Sequence, residues 1–438
     1  MHTDISRSGI FSWLKCRGGV FEGWPATLFE LLNCNSCFDQ EQALIARQKV
    51  FFKRDRNVNR RRLRWGDASA AAVMVSPALR AQVFKSGQKI IIGQSVLLSG
   101  AADQIGLAYF NGAKIFFDAL NAANGVYGYK IEVKALDDGY DPLRAAGNAK
   151  KLISEGVDAL FGFVGMASCD AAFAITKPAN TLFFAPYAAS DPLHNPALAN
   201  VFHVRPALAD EACKVVQHCV TLNQDRIAVF AEDDAMGRAG LAAVNQALVD
   251  LKRPPLVASA FSPVNSDKVD SAVNQLKIAQ PQAIVLVSLF NSPAAFIRKM
   301  RKAGFGGQFL TFSVVGIDPL FSALGRGIGG IVISRVMPSP RSIAVPIIKE
   351  YLDVLNQTDQ TPSYESVEGY IAACSFVEGV RRSLASGGKP DRNGLQKTFA
   401  SMLDCDVGGF RVNLRTRKYA SVRAIDLVSI TLDGKVVR

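Results

Sequence analysis

The stretch KIIIGQSVLL at residues 89–98 decides the fold. A continuous apolar run of this length is typical of a parallel strand that is covered on both faces. The residues that follow have the spacing of a helix with one buried face, formed by Ala113, Phe116, Phe117 and Leu120. A buried strand followed by an amphipathic helix predicts the start of an alternating α/β series.

This alternation continues along the chain and restarts after Pro206. Asp141 and Pro142 are an N-cap and first-turn pair, and Gly156 closes the helix that they begin. The further predicted strands are Lys130–Leu136, Val157–Phe161, Thr181–Phe184, Arg226–Phe230, Leu256–Ala260, Ala283–Val287 and Gly330–Ser334, and the later predicted helices are Gly240–Leu251, Lys268–Ala279 and Pro293–Ala303. Two such series, divided near Arg205, predict an α/β fold of two doubly wound, Rossmann-like lobes.

The predicted sheets also indicate where a ligand would bind. Ligands of doubly wound sheets bind outside the carboxyl ends of the strands, and a cleft between two lobes is the default site. The loops at those ends are Ser99–Gln104, Phe163–Ser168, Pro186–Ser190, Ala231–Met236, Ser288–Asn291 and Phe312–Val315.

Composition excludes several classes of protein. The chain has 438 residues, 49% hydrophobic and 20% charged, which is the balance of a globular protein with two domains. No stretch approaches the roughly 18 consecutive apolar residues of a membrane span. Half of the net charge of +12 lies in the first 66 residues, and no basic stripe with interleaved aromatic residues follows. We therefore expect no nucleic-acid partner and no stable membrane span.

The segment before the first strand has the pattern of an export signal. Arg60, Arg61 and Arg62 precede a weakly apolar run, ASAAAVMVSPAL at residues 68–79. The paired arginines and the low hydrophobicity favour the twin-arginine route to the periplasm, with residues 59–87 as signal and linker. The alternative is a basic surface helix. Residues 1–58 match no pattern and are left unassigned, as a possible product of a wrongly assigned start codon.

No motif for catalysis, a cofactor or a metal is evident. The glycine-rich segment 325–330 precedes a predicted strand instead of following one, which does not fit a dinucleotide loop. Asp137-Asp138 and Asp233-Asp234 are acidic pairs at strand ends, where capping is the usual role. The four histidines have no ligand or triad spacing. We therefore expect that the protein is not an enzyme and that it binds neither a cofactor nor a metal ion.

The cysteines predict neither a disulfide framework nor a zinc site. Five of the eight follow the leader, defined as residues 1–87, and their spacings are irregular. Cys213 and Cys219 fall on one predicted helix, about 9 Å apart along its axis, which exceeds disulfide reach. Buried small apolar side chains are the favoured interpretation.

An ordered set of segments carries a resemblance to a known family. The segments are IGQSVLLSG (92–100), NGA (111–113), ALNA (119–122), DDGYDP (137–142), LFGFVG (160–165), VFHVRP (201–206), ADE (209–211), RKMRKAG (298–304), ESVEGYIA (365–372) and GGF (408–410). From residue 89 to the end, the chain resembles the periplasmic leucine/isoleucine/valine-binding proteins, the type I solute-binding components of ATP-driven (ABC) importers.

The resemblance implies a domain organisation and partners. Three hinge crossovers, near Arg205, Val336 and Asp404, would join lobe 1 (88–205 plus 337–404) to lobe 2 (206–336 plus 405–438). Bending at such crossovers closes two lobes on a ligand. The implied partners are a small-molecule solute and an inner-membrane permease, and we expect a periplasmic monomer.

The resemblance also places a ligand site. Relatives hold the ligand carboxylate on backbone N–H groups and hydroxyls at positions that match Met166, Ala167 and Ser168, then Tyr187, Ala188 and Ala189. Relatives hold the ammonium with two acids; Asp210 matches one, and Ser313 stands where a glutamate is usual. Wall positions that are tyrosines in relatives are here Ile105, Met236 and Leu289, with Phe290 adjacent. Ser99 begins the first of the cleft loops.

These substitutions remove polar partners and add apolar surface. The sequence therefore predicts an organic acid or aromatic compound bound through its carboxylate, instead of a branched-chain amino acid. Structural interpretations stay open for several of these residues: Met166, Met236, Leu289 and Phe290 also suit an ordinary core, and Asp210 suits an N-cap. Two other functions also remain open, a cytoplasmic ligand-sensing regulator with the same lobes and an α/β enzyme. A cleaved chain in the periplasm would indicate an importer component, and an intact chain in the cytoplasm would indicate the regulator. Turnover of a bound compound would indicate the enzyme.

Overall fold

The computed structural model describes residues 88–100, 103–289, 291–315, 317–414, 424–433 and 435–437. The predictions that concern residues 1–58, the export signal and linker at 59–87, and Phe290 lie outside these residues. Two lobes make up the described chain, each built on its own sheet.

Lobe 1 contains a five-stranded parallel sheet with the order β2-β1-β3-β4-β5. Its strands are β1 (Lys89–Val96), β2 (Lys130–Asp137), β3 (Ala159–Phe161), β4 (Phe183–Phe184) and β5 (Val201–Phe202). Its helices are α1 (Asp103–Ala122), α2 (Pro142–Ser154), α3 (Met166–Thr176), α9 (Pro346–Leu355), α10 (Tyr364–Ala385) and α11 (Arg392–Ser401).

The apolar run that opened the sequence argument forms β1, and its side chains alternate between two cores. Ile90 and Ile92 belong to the core cluster formed with α1 and α10. Ile91 packs against a second cluster, which includes Leu152 of α2 and Cys169 of α3. Both faces of the sheet are therefore covered, which is why the strand needs apolar residues at consecutive positions.

The helices α1 and α10 approach each other at glycines. A Cβ atom on Gly112 would lie 1.9 Å from the carbonyl oxygen of Ser366, and one on Gly369 would lie 2.0 Å from that of Tyr109. Because no side chain fits at either point, glycine is what permits the two backbones to come this close.

Lobe 2 contains a seven-stranded sheet with the order β14-β13-β10-β9-β8-β6-β7. Its strands are β6 (Ile227–Glu232), β7 (Ala258–Ser262), β8 (Ala283–Val287), β9 (Gln308–Thr311), β10 (Ile331–Arg335), β13 (Asp426–Ile430) and β14 (Val436–Val437). Its helices are α4 (Leu208–Thr221), α5 (Ala235–Asp250), α6 (Asp270–Ala279), α7 (Asn291–Lys302), α8 (Ile317–Leu324) and a 3-10 turn, Gly325–Ile328. All neighbours pair in parallel except β13, which runs antiparallel to both β10 and β14.

The strands of lobe 2 also divide their side chains between two cores. Phe230 and Ile284 lie in the cluster with α6 and α7, whereas Val229 and Val285 lie in the cluster with α4 and α5. The predicted α/β fold of two doubly wound lobes is therefore confirmed, although α5 and α7 begin earlier than predicted and α6 begins two residues later.

The chain passes between the lobes three times. The first two passages run from β5 to α4 through Arg205 and from β10 to α9 through Val336. The prediction of a third crossover near Asp404 is wrong, because the chain forms a hairpin there, made of β11 (Asp404–Asp406) and β12 (Arg411–Asn413).

That hairpin belongs to lobe 1. Cys405, Val412 and Leu414 are buried in the core of lobe 1, and the backbone N–H of His203 donates to the carbonyl of Leu414 at 3.1 Å. The hairpin residues therefore pack with lobe 1, although the sequence had assigned residues 405–414 to lobe 2.

The predicted N-terminus of α2 is confirmed. Asp141 caps α2, accepting from the backbone N–H of Leu143 at 2.8 Å, with Pro142 in the first turn. Cys213 and Cys219 lie on α4, and the described cysteines form no disulfide with one another. In the part of the chain that is described, no helix combines the length and apolarity needed to cross a bilayer.

Candidate functional site

A pocket with apolar walls lies between the two lobes, at the carboxyl ends of their strands. The cavity volume at this pocket is about 40 Å³, well below the roughly 300–1,000 Å³ of a typical small-molecule site. An organic solute therefore requires the walls of the pocket to move apart before it can enter. The lining residues from lobe 1 are Leu97, Ile105, Tyr140, Val164, Gly165, Met166, Tyr187, Ala188 and Ala189, and those from lobe 2 are Leu208, Met236, Leu289 and Val314.

The loop after β3 presents the start of a helix to this pocket. Gly165 precedes α3 with a φ of 95°, a conformation that favours glycine. No side chain caps the helix at this point. The first backbone N–H groups of an α-helix lack partners within the helix, and together they favour an anion. The first turn of α3, from Met166 to Ser168, is therefore suited to a carboxylate in the pocket.

The loop after β4 is tied to the loop after β3. The N–H of Gly165 donates to the carbonyl of Tyr187 at 3.1 Å, and the N–H of Tyr187 donates to the carbonyl of Phe163 at 2.7 Å. The ring of Tyr187 contacts Tyr109 edge-on, with the ring centroids 5.2 Å apart. The two loops therefore form one fixed wall, which holds the Tyr187 ring at the pocket.

Lobe 2 supplies the opposite wall, and buried polar groups fix its position. Met236 lies in the first turn of α5, which Asp234 caps by accepting from the N–H of Gly237 at 2.7 Å. The N–H of Leu289 donates to the carboxylate of Glu232 at 3.2 Å, and Ser292 donates to the same carboxylate at 2.6 Å. Burial raises the pKa of Glu232. These bonds position the apolar side chains that face the pocket.

A buried charged cluster lies behind Tyr187. The guanidinium of Arg205 stacks over the Tyr187 ring, 4.4 Å from its centroid. Its Nη2 donates to Ser313 Oγ at 2.8 Å, and its Nε lies 3.4 Å from Glu368 Oε1. Arg205 therefore connects the pocket wall of lobe 1 to the carboxyl end of β9 in lobe 2.

The carboxylates of this cluster are engaged within it. Glu211 accepts from both the N–H and the hydroxyl of Ser313, at 2.8 and 3.0 Å, and from the hydroxyl of Ser334 at 2.5 Å. Burial raises the pKa of Glu368 to about 7, against the opposing effect of Arg205. Arg335 is also buried, with its guanidinium 4.1 Å from the centroid of the Tyr364 ring.

Seven of the sequence-predicted site residues line the pocket: Ile105, Met166, Tyr187, Ala188, Ala189, Met236 and Leu289. Their contact with a ligand stays a prediction. Phe290 lies outside the described residues.

The other five predicted residues do not line the pocket. Ala167 and Ser168 belong to the first turn of α3, where only their backbone N–H groups are relevant, and the Ser168 side chain is buried. Ser99 lies on the first cleft loop but donates to Asp137 Oδ2 at 2.6 Å.

The two positions expected at the ligand ammonium have other roles. Asp210 is buried in the first turn of α4, where its carboxylate accepts from the backbone N–H of Ala207 at 3.3 Å. The N-cap interpretation left open for Asp210 is wrong, because Ala207 is the N-cap and Asp210 is the third residue of the helix, where its carboxylate accepts from the N–H of the N-cap residue. Ser313 is bonded to Arg205 and Glu211, so the side chain expected to face the ligand instead bridges two buried charges.

Sequence reasoning missed some of the lining. Val164, Gly165 and Val314 lie in loops that the sequence had marked, whereas Leu97 lies two residues before the first marked loop and Leu208, at the start of α4, lies near none of them. Tyr140 follows β2, which is the edge strand of its sheet; the sequence had marked residues 137–142 only for the family resemblance and for an acidic pair, not as a cleft loop.

Two smaller findings bear on chemistry. Among the residues that the structure describes, no group of three potential ligating side chains could hold a metal ion. The acidic pairs act locally, since Asp138 accepts from Ser95 Oγ at 2.8 Å and Asp234 caps α5.

Two doubly wound lobes around an apolar pocket at the carboxyl ends of their strands define a two-lobed solute-binding protein. The family model described as periplasmic binding protein matches residues 89–435. The chain belongs to this family, and the resemblance drawn from sequence segments is confirmed. The family consists of solute-binding proteins and not of enzymes.

Individual relatives agree with this assignment. The Leu/Ile/Val-binding protein homolog 7 of Brucella abortus is 24% identical over 321 residues, which cover 70% of this chain and 80% of that protein. A crystal structure of a possible leucine/isoleucine/valine-binding protein from Rhodopirellula baltica superposes with a TM-score of 0.73 at 26% identity, covering 80% of this chain and 96% of the other. A substrate-binding periplasmic protein from Ralstonia solanacearum has a TM-score of 0.69 at 28% identity, covering 80% and 99%.

Proposed function

We propose that this protein is the solute-binding component of an ABC importer and that its solute is a small carboxylic acid with an apolar or aromatic body and no amino group. The acid would lie in the pocket between the lobes, with its carboxylate on the first-turn N–H groups of α3, and the lobes would close around it. A periplasmic location, reached by the twin-arginine route, is part of the proposal.

The observation that carries the choice of solute is the chemistry of the pocket wall. The described residues that line it are aliphatic, thioether, glycine and tyrosine residues, with no carboxylate and no basic side chain. An ammonium group placed there would lose its water without gaining a charged partner. The loss of such a bond costs about 1.5–3 kcal/mol, and leaving a charge buried and unpaired costs more.

The names of the relatives point to leucine, isoleucine and valine, so the amino group is the feature to test. In this chain the two positions that could hold an ammonium are engaged elsewhere, Asp210 with the backbone of Ala207 and Ser313 with Arg205. The carboxylate end keeps its partners, because the backbone N–H groups at the start of α3 do not depend on side-chain identity.

The experiment compares matched pairs of solutes that differ in the amino group. Thermal unfolding of the purified protein is measured with leucine and with 4-methylpentanoate, and then with phenylalanine and with 3-phenylpropanoate. We expect the two acids without an amino group to raise the melting temperature, since ligand at about 100 times its Kd stabilises the folded state by about 2.7 kcal/mol. Strong stabilisation by leucine alone would refute the proposed solute class.

A second measurement tests the importer role. The full-length chain is expressed in a Gram-negative host, and its location and N-terminus are determined by fractionation and mass spectrometry. A processed chain in the periplasm is expected for an importer component. An intact cytoplasmic chain would favour the ligand-sensing regulator instead.

A further inference from the structure

Tyr140 combines an unfavourable backbone conformation with a position at the pocket. It has a φ of 66° directly after Gly139, whose φ is 56°. The left-handed region is uncommon for residues with a side chain and costs energy for a bulky one. Held strain of this kind clusters at functional sites, where the surrounding structure enforces it.

The turn that carries Tyr140 is enforced by buried polar groups. The N–H of Tyr140 donates to Asp138 Oδ1 at 2.9 Å, and the N–H of Gly139 donates to Asp137 Oδ1 at 3.0 Å. Asp138 is fully buried and accepts from Ser95 at the end of β1. The left-handed conformation at Tyr140 is therefore built into lobe 1 by several independent contacts.

The ring of Tyr140 lies against the helix start that was assigned to the carboxylate. A Cβ atom on Gly165 would lie 2.7 Å from Cε2 of the ring, so glycine at this position makes room for it. Tyr140 and Met166 line the pocket on either side of Gly165. The ring therefore covers the point at which α3 meets the pocket.

The same side chain also faces lobe 2. Loss of contact with water raises the pKa of the Tyr140 phenol, and the negative charges of Asp234 and Glu232 in lobe 2 add to this effect. Met236, which follows Asp234, lines the pocket from that lobe. Tyr140 and Met236 thus line the same pocket, one from each lobe.

A structural role alone does not account for this arrangement. Tyr140 as a whole residue is 38% exposed, so its burial in lobe 1 is incomplete although its phenol is largely removed from water. From this geometry we propose that Tyr140 is a specificity-determining residue: its ring forms the side of the pocket beside α3 and packs against the apolar body of the bound acid. This inference rests on the proposed function and adds a ligand contact to it.

The chain offers a matched control at Tyr127. This tyrosine also lies in lobe 1, has a φ of 49° and is 42% exposed, but it does not line the pocket. Asparagine tolerates the left-handed region and has no ring. Tyr140→Asn and Tyr127→Asn therefore make the same chemical and conformational change, one at the pocket and one away from it.

The experiment measures Kd by calorimetry and the melting temperature for the wild type, Tyr140→Asn, Tyr140→Phe and Tyr127→Asn. The probe is whichever of 4-methylpentanoate and 3-phenylpropanoate binds the wild type more tightly. We expect Tyr140→Asn to raise the Kd by at least about tenfold, equivalent to 1.4 kcal/mol. Tyr140→Phe, which keeps the ring, should stay within about threefold. Tyr127→Asn should bind the acid as tightly as the wild type does. The two asparagine variants should change the melting temperature by the same amount.

The two proposals fail in different ways. A wild type that binds neither acid would refute the proposed solute class. A wild type that binds, together with a Kd for Tyr140→Asn within about threefold of it, would overturn the role of Tyr140 alone. An equal loss of affinity in Tyr127→Asn would also overturn that role, because the effect would then belong to the lobe in general.

Discussion

Replacement of Glu368 by glutamine should change how the stability of this protein depends on pH. Glu368 is buried in α10 beside Arg205, and burial raises its pKa from 4.5 to about 7. The folded state therefore holds a proton on this carboxyl more tightly than the unfolded state does. Its contribution to stability is present below pH 4.5 and is lost as the pH rises through 7.

The size of the effect follows from the two pKa values. A shift from 4.5 to about 7 corresponds to about 3 kcal/mol in full, of which about 2 kcal/mol is lost between pH 5.5 and pH 8. Glutamine resembles the protonated carboxyl and does not titrate. The variant should therefore become more stable relative to the wild type by about 2 kcal/mol over the same interval.

The assay is urea denaturation of the wild type and Glu368→Gln at pH 5.5 and at pH 8, with equal slopes against urea as the control for unchanged compactness. A difference in unfolding free energy that stays constant between the two pH values would refute the reasoning. It would mean that Glu368 is charged in the folded protein at both pH values and that its pair with Arg205 outweighs its burial.

Two further predictions concern other buried features. His194 stacks on His203 with ring centroids 3.6 Å apart, and burial lowers the pKa of His194 from 6.5 to about 4. As the pH falls below 6.5, the unfolded state therefore binds a proton at this residue before the folded state does, and the protein loses stability. His194→Gln should reduce the stability lost between pH 7 and pH 5.5 by about 1 kcal/mol in urea titrations, and parallel stability profiles for the variant and the wild type would contradict this. Gly369→Ala would place a Cβ atom 2.0 Å from the carbonyl oxygen of Tyr109 and should lower the free energy of unfolding by about 1–3 kcal/mol or more. Gly147→Ala has open space around its helical position and should raise the free energy of unfolding by about 0.5–1 kcal/mol. Thermal unfolding of the two alanine variants decides, and equal effects would show that helix contact is not what requires glycine at residue 369.

The sequence predicts the strands well because each side of the two sheets is covered. Burial on both faces requires apolar side chains at consecutive positions, and Ile90, Ile91 and Ile92 meet this by alternating between two cores. Such a pattern is local and can be read along the chain. The mostly parallel sheets and the two lobes then follow from general rules of α/β connection.

The third crossover shows where local patterns are insufficient. Gly408 and Gly409 both have positive φ and turn the β11–β12 hairpin, but short hairpin strands carry little signal. Which lobe receives them depends on the burial of Cys405 and Val412 against distant parts of lobe 1. Sequence spacing does not contain that information.

The site was predicted in part for a similar reason. The loops that hold Met166 and Tyr187 follow from the rule that ligands bind at the carboxyl ends of strands, and the resemblance to the family named these two positions within them. Ser313 was expected to face the ligand, but Arg205, which is 108 residues away along the chain, bonds to it. Tyr140 was missed because its loop follows an edge strand and reaches the pocket only through tertiary packing.

The central claim is that two lobes close on a small carboxylic acid held in the pocket between them. Small-angle X-ray scattering of the purified protein, recorded without solute and with saturating 3-phenylpropanoate or 4-methylpentanoate, tests this claim most directly. We predict a smaller radius of gyration with a bound acid and no change with phenylalanine or leucine. Scattering curves that coincide under all of these conditions would contradict the account.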